Sequence, residues 1–401
     1  MSPPPIFAPP MSGLPVSAPP ILIAAFSGRA AAMAARASGF APLVADLFAD
    51  ADTCAMAAGV RRVAGDVGSG FDDEALLAAL GELADGADFD GADLAPLGLV
   101  YGAGFEDRPE LLARIADRWR LLGNTAEVVA GVKEPWGFAE RLGHLGIPHP
   151  DIQPADGAPP PGWLIKRRGG AGGGHVGVNG GADGAAYAQR RVAGRPVSAL
   201  FLSGAHGTQI VGFSEQWTAP TANQPFRFGG ACCPAELSQE LAAALSDAVG
   251  KVAYAFTLRG LNSADFIVAD AGWWLLEINP RLGATLDIFD DGDGALFSAH
   301  IAAVQGQRPA PTRPTFRANA TQIAYAADTL HVPPIDWPEW TADRPHAGER
   351  IVAGAPICTI LSSAGTAHEA RQLGFQRNRE IHKLMGVEEC RTASSRNLAS
   401  A

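Results

Sequence analysis

Basic residues are in short supply: 31 Lys and Arg stand against 42 Asp and Glu, a formal net charge of -11 over 401 residues. Such a surface repels phosphate backbones and argues against DNA or RNA as a partner. Cysteine is also sparse. Cys54, Cys232, Cys233, Cys358 and Cys390 form no C-x-x-C pair and no metal-binding spacing. That excludes a zinc ribbon or a disulfide framework and predicts a reducing, cytoplasmic compartment. No apolar run approaches the roughly 20 residues that span a bilayer, so no membrane partner is expected. Residues 1–20 carry no Lys or Arg and are broken by prolines, which does not suit a secretory signal. They are predicted to be a disordered, partly polyproline leader. What remains is too long for one compact core and predicts several subdomains.

The apolar run Ile21–Phe26 reads as a buried parallel strand. The turn "SGR", a helix over "AAAMAARASG" closed by Gly39 and a strand "APLVADLF" follow it. This is the start of a doubly wound α/β domain. Ligands in such sheets sit beyond the carboxyl ends of the strands. The loops Ser27–Arg29 and Tyr101–Asp107 therefore face the expected substrate crevice. Arg29 is a candidate to hold an acceptor carboxylate, and Gly104 a candidate for close approach to substrate. Further helices are predicted over "RPELLARIADRWRLLG", "EPWGFAERLGHLGIP" and Glu236–Phe256. The middle of the chain is rich in hairpin strands, an α+β pattern. After residue 312, Pro, Trp and short strand signals predict a small β-rich module.

Two stretches carry chemistry. In "WLIKRRGGAGGGHVG", Lys166 ends a strand and a loop almost without side chains follows. Glycines let backbone N–H groups approach phosphate oxygens. The Walker order would place Lys-Ser/Thr after the glycines, and here the lysine precedes them. The second stretch is "LNSADFIVADAGWWLLEINPRLGATLD". Period-2 geometry puts Glu277 and Asn279 on one strand face, and the hairpin can bring Asp265 beside them. Two carboxylates and an amide oxygen make a hard oxygen site suited to Mg²⁺. Arg281 follows the strand and can reach the same phosphates. The stretch "RFGG", with Arg227 and Gly229, is a candidate lining of an acceptor pocket.

A lysine before a glycine loop, with "LEINPR" about a hundred residues later, resembles the ATP-grasp superfamily over residues 20–310. The resemblance implies an ATP-grasp fold. Its parts would be a Rossmann-like preATP-grasp α/β domain (21–130), a small lobe (131–195), a large lobe with the Mg²⁺ site (196–311) and a β-rich C-terminal module and tail (312–401). It implies ATP with Mg²⁺ or Mn²⁺. Lys133 and Lys166 would hold phosphates under a mobile loop containing Gly169, Gly170, Gly172, Gly173 and Gly174. The backbone near Arg191 and Val192 would hold adenine. Asp265, Glu277 and Asn279 would hold the metal, and Arg281 would meet the transferred phosphoryl group. Arg190 stands where many relatives have an acidic residue. Val197 and Ser198 stand where many carry a glutamate for ribose.

The implied activity joins a carboxylate to an amine through an acyl phosphate, with small-molecule substrates and a homodimer by analogy. Asp287, just past the motif, is a candidate proton acceptor. The stretches around "SGRAAAMAARASG" and "YGAGFEDRPELL" are similar to ATP-grasp proteins of methylotrophs and methanogens linked to one-carbon cofactor assembly. That points to glutamate joined to tyrosine or tyramine, as in methanofuran-type cofactors. The alternatives are a biotin-carboxylase-like enzyme using bicarbonate and a non-catalytic nucleotide-binding subunit.

Overall fold

The computed structural model describes residues 18–386, apart from 87, 90, 91, 94, 156–160, 171, 178–185 and 311–316. Most of the expected leader, the end of the "HVGVNG" run and the C-terminal tail lie outside the described residues. Three sheets organise the rest. The first is parallel, in the order β3-β2-β1-β4, from Pro20–Ala25 (β1), Ala41–Asp46 (β2), Gly59–Arg62 (β3) and Leu99–Tyr101 (β4). Strands β1 and β2 are buried along their whole length. That explains their unbroken apolar runs, because a parallel sheet is covered on both faces. The helix Arg29–Ala37 joins β1 to β2, and Gly39, at φ +84°, supplies the left-handed residue just beyond it.

The second sheet is antiparallel, in the order β7-β6-β8-β5, from Ile152–Pro154 (β5), Trp163–Arg167 (β6), Val176–Gly177 (β7) and Ala186–Arg190 (β8). The glycine loop is the connection from β6 to β7. Residues 191–194 then cross to the third sheet, so Arg191 and Val192 do lie on the link between two sheets. This third sheet has eight strands. Its first five positions are Gly272–Asn279 (β13), Gly260–Ala269 (β12), Arg195–Gly204 (β9), Gly207–Thr218 (β10) and Phe228–Cys233 (β11). It continues with Ala318–Tyr325 (β14), Pro356–Ala364 (β16) and Thr341–Ala342 (β15).

That continuation corrects one expectation. The C-terminal segment does not hold its main strands apart; β14 pairs with β11 and extends the large sheet. An edge strand such as β11 presents unpaired N–H and C=O groups, and β14 satisfies them. The segment also ends in a helix, Ala367–Leu384, started by a capping box between Thr366 and Glu369. The helix expected over residues 108–123 is shorter, Pro109–Ala116. A helix at Ala126–Lys133, which the pattern reading did not place, carries Lys133 as its last residue. Among the described residues, no helix is long and apolar enough to cross a membrane.

Candidate active site

Strands β12 and β13 build the floor. Asp265 and Glu277 are direct cross-strand partners, as are Ser263 and Asn279, with a register irregularity between Asp265 and Phe266. Residues opposite one another share a face, so Asp265, Glu277 and Asn279 meet. Asn279 Nδ2 donates to Asp265 Oδ2 at 2.9 Å, which turns its Oδ1 the other way. There Oδ1 accepts from Lys133 Nζ at 3.2 Å and faces Arg281 Nη2 at 3.5 Å. Lys133 Nζ also donates to Glu277 Oε2 at 3.1 Å. Lys166 approaches from the small sheet, buried, with its charge felt at Glu277.

The electrostatics follow from burial and these partners. Burial alone would raise Glu277, but Lys133, Lys166 and His175 pull it down to about 2. Burial lowers the Lys166 ammonium; Glu277 opposes that and Lys133 adds to it. Burial, then Glu277, raises Asp265 above the usual carboxylate range, against a hydrogen bond from Ser198 Oγ at 2.6 Å. One carboxylate is thus held ionised and its neighbour is pushed toward the protonated form.

A divalent cation fits part of the predicted set. Glu277 and Asn279 already share a positive charge, the Lys133 ammonium, and an ionised carboxylate plus an amide oxygen are hard donors suited to Mg²⁺. Asp265 lies beside them on the same face, as the hairpin predicts, and its oxygens have partners. It accepts from Ser198 and Asn279 and lies near Gln216, so its oxygens already orient neighbours. Among the described residues, no group of three or more His, Cys, Asp or Glu side chains has a metal-holding arrangement.

The glycine loop spans the space between modules. Gly169, Gly172 and Gly173 have φ of +68°, +65° and +73°, where a side chain is strained. A Cβ on Gly169 would lie 2.5 Å from Asp107 Cα, and one on Gly173 would lie 1.9 Å from the Phe226 carbonyl oxygen. Gly170 packs on His175, and Gly172 O accepts from Phe228 N at 2.9 Å. Gly174 lies near Gln224. The loop therefore rests on the N-terminal domain on one side and on the turn before β11 on the other.

The remaining predicted residues have other partners. Arg29 does not present a free guanidinium for an acceptor. It forms a bidentate pair with Asp287 at 2.6 Å and bonds Asp343 at 3.1–3.2 Å, all buried or nearly so. The same pair takes Asp287 out of the proton-acceptor role. Gly104, at φ +116°, is a packing glycine, with Phe26 and Phe71 where its Cβ would be. Arg227 stacks on Tyr325 at 3.6 Å and donates to the Ala219 and Gly354 carbonyls. Gly229 packs against Thr218 and Trp217.

Three residues at the site escaped the sequence reading. Glu106 is 2% exposed at its side chain and bonds Arg281 Nε at 2.8 Å. Tyr101 and Asn124 both donate to the Pro280 carbonyl, at 3.3 and 2.9 Å, and tie the "INPR" turn to the N-terminal domain. The available signal was an acid two residues after Gly104, in a loop already placed at the crevice.

The comparisons agree with this geometry. Residues 132–285 match a family model described as an ATP-grasp domain. No curated protein matches the chain by sequence. Solved structures share the fold. N5-carboxyaminoimidazole ribonucleotide synthetase from Thermotoga maritima is 14% identical, with TM-score 0.62 over 90% of this chain and 98% of its own. L-amino acid ligase from Bacillus licheniformis is 14% identical, with TM-score 0.65 over 90% and 97%. Biotin carboxylase from Campylobacter jejuni is also 14% identical, with TM-score 0.65 over 88% and 89%. Residues 132–285 thus match an ATP-grasp domain, and the chain as a whole has the ATP-grasp fold.

Proposed function

We propose that the protein is an ATP-dependent carboxylate–amine ligase. The observation that carries this reading is the convergence of three cations, Lys133, Lys166 and Arg281, on the Glu277–Asn279 face beneath a glycine loop. Such a cluster suits a polyphosphate and the charge that develops as a phosphoryl group moves. Lys133 and Lys166 bind the phosphates. Arg281 meets the γ-phosphoryl group, and the loop from Gly169 to Gly174 excludes water. The backbone at Arg191 and Val192 lies on the link between the two sheets and suits adenine. Glu277 and Asn279, with Asp265 behind them, would hold Mg²⁺ or Mn²⁺, which supplies charge neutralisation at the phosphates.

In the first step a carboxylate oxygen of the acid attacks the γ-phosphorus, and the bond to the β-γ bridging oxygen breaks, giving an acyl phosphate and ADP. In the second, the amine nitrogen attacks the acyl carbon, inorganic phosphate leaves and the amine proton passes to solvent. Glutamate is our proposed acid and tyrosine or tyramine the amine, in assembly of a methanofuran-type cofactor. The resemblance of residues 24–53 and 101–112 supports that choice. The fold shared with biotin carboxylase supports a second reading, with bicarbonate as the acid.

The test is ADP and phosphate release from Mg·ATP with glutamate and a panel of amines, beside a Glu277→Ala control. Release that needs one amine and is lost in the control supports the ligase. Release with bicarbonate and no amine supports the carboxylase. No release with any acid, while ATP still binds, supports a non-catalytic subunit.

A further inference from the structure

The loop that follows β4, Gly102–Arg108, touches two parts of the site at once. Glu106 lies in it, 3% exposed, more than 170 residues from the "EINPR" motif. One carboxylate oxygen, Oε1, accepts from Arg281 Nε at 2.8 Å. The other, Oε2, accepts from the backbone N–H groups of Gly104 and Phe105 at 2.8 and 3.0 Å. Gly104 makes this turn in a left-handed conformation, with Phe26 and Phe71 against it. The carboxylate is thus fixed at one oxygen by a rigid turn and grips the arginine with the other. Burial would raise Glu106, but Arg281 and Lys133 hold it below the usual carboxylate range. The Glu106 carboxylate therefore stays ionised at neutral pH.

The arginine needs such a holder. Its other contacts are weak: Nη1 to the Leu282 carbonyl at 3.4 Å and Nη2 to Asn279 Oδ1 at 3.5 Å. Gripping Nε leaves Nη1 and Nη2 with only those long contacts, available for bidentate contact with a phosphoryl group. The Glu106 carbonyl and Asp107 Cα also form the surface on which Gly169 rests.

We infer that Glu106 is a positioning residue that aims Arg281 at the terminal phosphoryl group, placing part of the phosphate site under control of the N-terminal domain. This rests on the reading of Arg281 as a γ-phosphoryl contact. The test is isothermal titration of the full-length protein with Mg·ADP and with the Mg²⁺ complex of a non-hydrolysable ATP analogue. The ratio of the two Kd values isolates the γ-phosphoryl contribution. Losing an aimed, charge-assisted contact is expected to cut that ratio about tenfold in Glu106→Gln, with the Mg·ADP Kd within about twofold of wild type. Glu106→Asp keeps the charge on a shorter arm and should lie between the two. It also serves if Glu106→Gln melts early.

Arg281→Ala should lower the ratio as far or further, and adding Glu106→Gln to it should change nothing more, because the effect passes through the arginine. A Glu106 effect that persists without Arg281, or an unchanged ratio in both Glu106 variants while Arg281→Ala lowers it, overturns the inference and leaves the reading of the site standing. A ratio that Arg281→Ala leaves unchanged, or a wild-type protein that binds neither nucleotide, overturns the reading and the inference with it.

Discussion

Two buried ionic clusters among the described residues are built on opposite plans. In the cleft, Lys133, Lys166 and Arg281 face Glu106, Glu277 and Asp265, whose carboxyl is raised above the usual range by burial and Glu277, and their donors are shared loosely, at 2.8–3.5 Å. In the second cluster one arginine, Arg29, is enclosed by Asp287 and Asp343 in short, near-complete contacts, with Asp46 and Asp50 close by. Asp343 also accepts from Ser27 Oγ at 2.7 Å, and Arg344 beside it pairs with Asp52. This second cluster ties the N-terminal domain, the segment after the "EINPR" motif and the C-terminal segment together. The difference separates a site from a clamp. The cleft keeps cationic capacity for an anionic ligand, whereas around Arg29 the protein's own carboxylates are in excess and an incoming carboxylate would be repelled.

The largest effect should come from removing the cleft's ionised carboxylate. Glu277→Ala is expected to lower Mg·ATP turnover about 100-fold or more, since it takes away both a metal ligand and the partner of Lys133. ADP release at saturating ATP measures it. Next comes the clamp. Arg29→Met leaves Asp287 and Asp343 as unpaired buried carboxylates and is expected to cost about 3–5 kcal/mol of stability, read from urea midpoints, with turnover per folded molecule within about twofold. Lost turnover at unchanged stability would erase the distinction between the clusters and return Arg29 to the substrate site. Lys133→Met should act on the other side of the comparison. It weakens Mg·ATP binding about tenfold by calorimetry, because one of three converging cations is gone.

The smallest effect is a pH dependence in the clamp. Burial, then Asp343, pushes Asp50 up to about 7 from an ordinary 3.8. Folding therefore favours its protonated form. That stabilisation is complete below the ordinary value and is lost as pH rises through about 7. The urea midpoint should fall between pH 5 and pH 8 relative to that of Asp50→Asn, which keeps an acceptor for the Thr53 N–H. Asp290, also pushed up to about 7 by burial and its acidic neighbours, leaves a residual slope of the same sign. Buried His149 and His300, both pushed down to about 4, act in the opposite sense, so the comparison with Asp50→Asn decides: a wild-type midpoint that does not fall relative to that variant over this interval would contradict the charge crowding.

The contrast also explains what a single sequence could disclose. Glu277 and Asn279 were legible because alternation along one strand fixes their common face, and Asp265 because a hairpin must fold it back across from them. The strand that carries Lys166 and the glycine turn after it were legible because an apolar run followed by a run of glycines marks a strand end and a loop. The partners of Arg29 and Arg281 were not. They lie 258, 314 and 175 residues away, and local periodicity carries nothing about pairing at that range. Arg29 was thus read by the loop it occupies and not by the carboxylates that reach it. The C-terminal strands suffered in the same way: their strand character was visible, while their partner, β11, was fixed only by the third dimension.

The central claim, that a carboxylate is activated as an acyl phosphate in the cleft, is tested most directly by isotope transfer. Glutamate labelled with oxygen-18 in its carboxylates is turned over with ATP, Mg²⁺ and the amine that supports release, and the inorganic phosphate is analysed by mass spectrometry. The account predicts one labelled oxygen in each phosphate formed, carried over when the amine displaces it. Phosphate without label, released in step with amide product, would contradict it.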